Sequence, residues 1–462
     1  MSHALLLAWE KTLRRRGGER AVVQTVDGSS CTFREVEARA SAWLAAQAPG
    51  GRELAGRAVV FATPNGIGWL EIFLGLLRAG AVVVPLDAAE PIAAQRSLAQ
   101  ALRAGFWWDG AQLVPLKGAR RFRDPALCLI KLTSGTTGQP RPLVFTATQL
   151  LADARQVTAT MGIGPRDLNY GLIPLGHSYG LGNLTVPLLA QGVPLVCATV
   201  PLPDAIAADF ARWRPTVFPS VPAVWRALAA SDGKLTSLRL GISAGAPLPV
   251  EVARDFAARF GRPLHSFYGS SETGGIAYDA TGDATLAGGV GRAMRGVKLA
   301  ALSGQRLRVS SAAVLTQGNR RRVGKLGAWI MSDRIDLDVS GRLTLLGRRG
   351  TTVKIAGRRV NLAEVTARLR RLPGVREAWV GVDARADGVL GAALVADRPV
   401  ADLRAALQAD TAAWKIPRRW LVLAAMPLTA RGKVDTRHLQ TRLFGVPAGV
   451  SESVGAGGGA RR

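Results

Sequence analysis

The chain is poor in cysteine, poor in acidic residues, and has no hydrophobic run long enough to cross a bilayer. Its three cysteines, Cys31, Cys128 and Cys197, are widely separated and match neither a disulfide framework nor a cysteine-based metal site. Reduced thiols in a cytoplasmic protein are the expectation. The longest apolar stretch, Leu184 to Val200, contains Pro187, Gly192 and Pro194 and falls short of the ~20 residues a spanning helix needs. The opening segment, MSHALLLAWEKTLRRR, has no charged region before its short apolar run and no small-residue cleavage site, so it reads poorly as a signal peptide.

The shortage of acids leaves 33 carboxylates against 60 basic side chains, a formal charge of +27. Lysine is also scarce: 9 of those 60 are lysines and 51 are arginines, a bias more typical of GC-rich coding than of a selected function. Basic clusters stand at Arg14-Arg15-Arg16, Lys117 to Arg123 and Arg320-Arg321-Arg322. Such patches attract phosphate backbones without reading sequence. No nucleic-acid fold signature accompanies them, so specific nucleic-acid binding is not expected. A solvated basic surface, facing anionic lipid or an acidic protein, is the reading carried forward.

What is present is an ordinary globular composition, 48% hydrophobic and 20% charged, over 462 residues. That length suggests about two to four domains. Strand-like apolar runs at Ala58 to Ala62, Ala81 to Leu86, Leu127 to Ile130, Val193 to Val200, Val217-Phe218 and Leu238 to Ser243 alternate with helix-like stretches. The latter include Ile67 to Arg78, Val221 to Ala230 and Val250 to Arg259. Alternation of this kind predicts an α/β fold of parallel sheets flanked by helices, and the continuous apolarity of the strands predicts burial on both faces. From Leu343 the pattern changes to short strands, a helix at Leu362 to Leu372, a strand pair within Val375 to Val395, and a helix at Ala401 to Ala413. The expected domains are 1–347, a compact α+β unit 348–446, and a disordered Gly/Ala/Ser-rich tail 447–462.

The most informative segment is TSGTTGQPRP, residues 133–142. Thr133, Ser134, Thr136 and Thr137, interleaved with Gly135 and Gly138, form a loop rich in N–H and O–H donors. Closely approaching backbone needs glycine, and successive N–H groups make an anion-binding nest suited to polyphosphate oxygens. The spacing is not that of G-x-x-x-x-G-K-[ST]. Gly318 to Lys325 comes near that pattern, but its glycines are one residue too far apart and Leu326 replaces the hydroxyl residue. Four further segments accompany the loop: Tyr268-Gly269-Ser270-Ser271-Glu272-Thr273; Asp333 in Trp329 to Asp333; Gly347 to Gly350 leading into Lys354 to Arg359; and Pro427 to Asp435, which places Lys433 in an exposed turn. Singly, each of these also fits a cap, a turn or a solvated side chain.

In this order the set resembles the adenylate-forming superfamily of acyl- and aryl-CoA synthetases, peptide-synthetase adenylation domains and luciferases. The resemblance covers roughly residues 20–445 and extends to Thr32 to Val36, Leu77 to Asp87 and Gly289 to Arg292. It implies a large N-terminal domain that binds ATP and acid, with a small mobile C-terminal lid. A carboxylate would attack the α-phosphate of ATP, releasing pyrophosphate, and the acyl group would then pass to a thiol. Both reactants are anionic, so positive charge must gather at the reacting phosphorus.

By that resemblance Thr133, Ser134, Gly135, Thr136, Thr137 and Gly138 hold the β- and γ-phosphates, and Glu272 ligates Mg2+. Tyr268 stacks on adenine within Tyr268-Gly269-Ser270-Ser271, with Ser243 to Pro247, including Gly245, Ala246 and Pro247, opposite. Asp333 takes the ribose hydroxyls, supported by Arg348. Lys433 bridges acid and phosphate, and Arg141 contributes charge beside the loop. Gly357, Arg358 and Arg359 border the thiol donor, CoA or a phosphopantetheine carrier. Departures from the family pattern are Arg141-Pro142 for its usual Lys-Gly, Met331-Ser332 for Thr-Gly, Gly350 at a hinge usually Asp or Lys, and a short stretch between Arg308 and Trp329.

Pro174 to Leu181 resembles the acyl-pocket segment of acyl- and aryl-CoA ligases, so His177, Tyr179 and Gly180 are expected at the acid, with Thr216 to Ala223, Val221 among them, as another wall. His177 equally suits a structural role in positioning Tyr179. No aspartate lies between Leu175 and Thr185 to pair with a substrate ammonium, which disfavours a free amino acid. Gly180 and Gly182 are expected to leave room for a chain or ring. The leading function is an AMP-forming acid–thiol ligase making a fatty or aryl acyl-CoA; the second is an enzyme loading an acyl carrier protein.

Overall fold

The computed structural model describes residues 4–133, 141–315, 327–348, 352–355, 358–383, 389–408, 411, 415–429 and 433–445. The chain divides into two compact units, Met1–Met331 with Ile335–Leu345 and Ser332–Arg334 with Leu346–Arg462. The hinge position Gly350 and the tail 447–462 lie outside the described residues.

Two large sheets organise the first unit. The six-stranded sheet runs in the order Leu113–Pro115, Phe106–Trp108, Ala58–Ala62, Val82–Leu86, Leu127–Thr133, Arg141–Thr146, with its central pairings parallel and both edges antiparallel. Period-two geometry sends Val59 and Phe61 to one apolar cluster and Ala58 and Val60 to another, so both faces are covered. The nine-stranded sheet runs Arg292–Ala293, Gly274–Tyr278, Leu264–Ser270, Leu240–Ser243, Val217–Ser220, Asn169–Gly171, Leu195–Cys197, Arg20–Gln24, Ser30–Thr32. Its six strands from Leu264–Ser270 to Arg20–Gln24 are mutually parallel. The largest cluster gathers Val59, Phe61 and Val83 of one sheet with Val22, Leu195 and Ile242 of the other, together with Leu70, Phe73, Leu150 and Ala154 of helices Ile67–Arg78 and Ala147–Met161. A second cluster, with Phe210, Trp225 and Phe256, covers the other face of the nine-stranded sheet.

Helix Ala147–Met161 begins where Thr146 Oγ1 accepts from Gln149 N and the Gln149 side chain accepts from Thr146 N, a reciprocal cap that fixes its start beside strand Arg141–Thr146. It ends at Gly162, whose φ of 63° suits glycine. A smaller sheet of Lys298–Leu302, Arg306–Ser311, Gly327–Leu337 and Leu343–Arg348 follows.

The second unit has a three-stranded sheet, Val375–Asp383, Val389–Ala396, Arg419–Val422, with helices Leu362–Arg370, Val400–Gln408 and Thr436–Phe444, and a hairpin of Thr352–Ile355 with Arg358–Asn361. One element differs from the sequence expectation. The run Val193 to Val200 forms only the three-residue strand Leu195–Cys197, because Pro194 has no N–H to enter the ladder. Ala4–Arg16 is an amphipathic helix, burying Leu5, Leu6, Trp9 and Thr12.

Candidate active site

Parallel strands put the ends of several segments at one edge. Ser220 pairs in register with Ser243, and Ser243 with Ser266. The chain therefore leaves Val217–Ser220 at Val221, Leu240–Ser243 at Gly245 to Pro247, and Leu264–Ser270 at Ser271 and Glu272, all past the carboxyl ends of neighbouring strands. That is where open α/β sheets bind ligands. Gly245, Ala246 and Pro247 are exposed, and Val221 is half-buried as the residue before helix Pro222–Ala229. Gly245 has φ 85°, a turn that a side chain would strain. Tyr268 lies inside strand Leu264–Ser270 and is 9% exposed.

The Glu272 turn is built by local hydrogen bonds. Thr273 N donates to Ser270 O at 3.4 Å, the Ser270 and Thr273 hydroxyls are 3.0 Å apart, and Leu315 N donates to Glu272 O at 3.0 Å. Gly269 is glycine because a Cβ there would stand 2.7 Å from Gly274 O. The Ser271 and Ser178 hydroxyls are 2.9 Å apart, which ties this turn to the predicted acyl segment.

In that segment His177 Nδ1 accepts from Tyr179 N at 3.3 Å, so the histidine caps a short helical turn, the structural role weighed from sequence. Tyr179 is 8% exposed and donates to Ile242 O at 3.2 Å, with Phe267 at 5.7 Å between ring centroids. Burial pushes its phenol well above the ordinary value. It braces the strand edge from within. The room expected at Gly180 and Gly182 is taken: a Cβ at Gly180 would collide with Pro174 O, and one at Gly182 would meet Asp153 Oδ2 at 2.8 Å. These glycines serve backbone packing.

The hydroxyl-rich loop is carried by a hairpin in which Thr133 is the register partner of Arg141 and Thr133 Oγ1 donates to Arg141 O at 3.4 Å. Ser134, Gly135, Thr136, Thr137 and Gly138 lie outside the described residues. Arg141 is exposed, with Cζ 5.8 Å from the Trp329 ring centroid. Two buried charged residues escaped the sequence reading: Lys131, on the hairpin's first strand, and Asp153, on helix Ala147–Met161, both 5% exposed. Burial lowers the Lys131 ammonium from its ordinary value, opposed by the carboxylates of Asp153 and then Glu272. Burial raises the Asp153 carboxyl, opposed by Lys131 and by the Gly275 N–H. The available sign was Lys131 breaking an otherwise apolar strand.

In the second unit Asp333 is half-buried within strand Gly327–Leu337, and Arg348 ends strand Leu343–Arg348. Lys433 is exposed in a turn closed by Thr429 N donating to Lys433 O at 2.7 Å. Arg358 and Arg359 lie on a hairpin strand whose side chains, like Gly357, are outside the described residues. Among the described residues no three His, Cys, Asp or Glu converge. No helix among the described residues is long and apolar enough to cross a membrane.

The sequence matches the family model described as AMP-binding enzyme over residues 115–309. It is 27% identical over 347 residues to a benzoate–CoA ligase of Thauera aromatica, covering 68% of this chain and 66% of that protein. The chain thus spans just under two thirds of that relative. It is 31% identical over 349 residues to a probable 2-succinylbenzoate–CoA ligase of Mycobacterium tuberculosis, covering 70% of this chain and 86% of that protein. ATP-bound MatB from Rhodopseudomonas palustris superimposes with a TM-score of 0.80 at 21% identity, over 96% of this chain and 99% of that one, a likeness of fold. The chain belongs to the AMP-binding, adenylate-forming enzyme family.

Proposed function

We propose that this chain is an AMP-forming acid–thiol ligase. A carboxylate oxygen of the acid attacks the α-phosphorus of ATP, the bond to the β-phosphate breaks, and pyrophosphate leaves. The sulfur of a thiol then attacks the acyl carbon, and the bond to AMP breaks. The observation that carries this reading is the common strand edge at which Val221, Gly245 to Pro247 and the Glu272 turn emerge, in a chain of this family.

The division of labour follows the chemistry of each side chain. Thr133 and the loop after it would meet the phosphates through N–H and O–H donors, with Arg141 adding charge. Tyr268 and Gly245 to Pro247 would border the base, Asp333 and Arg348 the ribose. The ammonium of Lys433, a compact charge on a long stem, would draw acid and phosphate together. Gly357, Arg358 and Arg359 would serve the thiol donor. Magnesium, when bound beside Glu272, would neutralise phosphate charge. The unit 1–347 would hold ATP and acid and 348–446 would act as the lid. Cytoplasmic residence is part of the proposal.

An aromatic acid is proposed as the substrate class and CoA as the acceptor, following the names of the two ligases above; neither name supports the fatty-acid role. The basic surface favours a second acceptor, an acidic carrier protein bearing phosphopantetheine. Acid-stimulated ATP–pyrophosphate exchange, screened over aromatic, aliphatic and dicarboxylic acids, tests the reading. Exchange should appear with an aromatic acid and fall with Glu272→Ala. No exchange with any acid, together with no nucleotide binding, would overturn it.

A further inference from the structure

We propose that Asp153 is a positioning residue of this site: from helix Ala147–Met161 it holds the limb of the Glu272 turn that runs into Gly274 and Gly275, with the buried Lys131 offsetting its charge. The inference rests on Glu272 being the metal ligand of the proposed reaction.

Asp153 stands on helix Ala147–Met161 and meets two segments. Its Oδ1 accepts from Gly275 N at 2.9 Å. It also packs on Gly274, where φ is 70° and a Cβ would collide with Oδ1. Its Oδ2 faces Gly182, at the far end of the segment that begins with His177. Gly274 is two residues from Glu272, so the carboxylate holds the outgoing limb of the metal-binding turn. The Ser270 and Thr273 hydroxyls tie the incoming limb to the outgoing one.

A buried carboxylate with one N–H donor is costly unless a cation compensates it. Lys131, buried on the strand ending at Thr133, opposes that cost through its charge, without a direct ion pair to Asp153. Its Nζ lies 4.3 Å from the Phe145 ring centroid, and among the described residues it makes no hydrogen bond or ion pair that would divert its charge. Among the described residues, Asp153 and then Glu272 are the carboxylates whose charge opposes the burial of Lys131. An apolar pair of similar volume would fill this space at less cost. A charged pair does something the apolar pair would not: with Asp153 present, Lys131 is balanced and Glu272 stays available to a divalent ion. Without Asp153, the ammonium is left to Glu272 and competes for it.

The test uses the full chain with Asp153→Asn, Lys131→Met and the double variant. Two readouts are taken: backbone amide hydrogen exchange over residues 272–278 without nucleotide, and the Mg2+ dependence of ATP binding by calorimetry, beside KM for the acid. Asp153→Asn should speed exchange in 272–278 and raise the Mg2+ needed for half-saturation about tenfold, the scale typical of groups that orient metal ligands. The acid KM should stay within about twofold of wild type if only the metal side is disturbed. The double variant, which buries no lone charge, should recover most of the Mg2+ dependence. Unchanged exchange and Mg2+ dependence, or equal losses for metal and acid with no recovery in the double variant, would overturn the proposal. Should Asp153→Asn fail to fold, Lys131→Met and the double variant decide it on the same readouts. Wild-type protein unable to bind Mg-ATP would instead sink the ligase reading, and hydrogen exchange would still decide whether Asp153 holds the turn.

Discussion

The proposed chemistry rests on Lys433 and Glu272, which drew attention in the sequence because each sits in an ordered motif. Lys433 is exposed in its turn and carries a compact positive charge on a long stem. Lys433→Ala should therefore lower adenylate formation by a hundredfold or so, the scale of one lost electrostatic contact to a reacting group, and largely spare thiolysis of preformed adenylate. Separate assays of pyrophosphate exchange and of thiolysis check this; equal loss in both would assign the lysine another role. Lys131 and Asp153 were not legible. A lysine inside LCLIKLT and an aspartate in a helix carry no local sign of sharing a site, and the Gly275 that Asp153 holds is 122 residues away. Burial decides their meaning, and burial is settled by packing. The same holds for Tyr179: its motif pointed to the acid, while its hydrogen bond to Ile242 O makes it a brace.

Elements were read from the sequence more surely than the uses of their residues. Ala58–Ala62 and Ile67–Arg78 fall where apolar periodicity placed them, since both are buried and pattern records burial. Glycine was read less well. Gly180 looked like space for a substrate, but Pro174 O fills it. Gly180→Ala should cost about 1–3 kcal/mol by overpacking, seen as a lower Tm, and should weaken acid use through displacement of the turn; a variant as stable as wild type would show that the segment has slack. Between strands, the Asp167 carboxylate ties the start of Asn169–Gly171 to that of Leu240–Ser243. It accepts from Arg239 Nε and Nη2, each at 2.6 Å, and from Thr216 Oγ1 at 3.0 Å. Burial raises this carboxyl, but Arg239, the Gly164 N–H and Thr216 outweigh it and hold the group below its ordinary value. The folded state thus binds fewer protons here than the unfolded one, so the tie stabilises above about pH 4 and is lost on acidification through the lowered pKa. Asp167→Asn should cost about 1 kcal/mol near neutrality, a figure kept small by the partial exposure of Arg239. Denaturant melts across pH should show the gap from wild type closing in acid; a gap that persists there would mean packing, not charge, is lost.

At the scale of the molecule, an excess of 27 positive charges acts at distances where individual contacts do not. If an acidic carrier is the acceptor, its KM should rise steadily with ionic strength while KM for an uncharged acceptor thiol stays nearly flat. A flat response for both would assign the charge to solubility alone. Near Leu343 the sequence texture changes, and from Leu346 the chain runs in the second unit, whose shorter elements have a core of their own around Val380, Leu394 and Leu403; that Ser332–Arg334 joins this unit left no sign in the sequence.

The guanidinium of Arg141 resting against the indole of Trp329 gives the protein its own optical gauge. Emission from that indole depends on the cation beside it, so an anion that draws Arg141 away should change its colour or intensity. The difference between spectra of the parent and of Trp329→Phe would then follow nucleotide arrival in real time, with no dye attached and no turnover required.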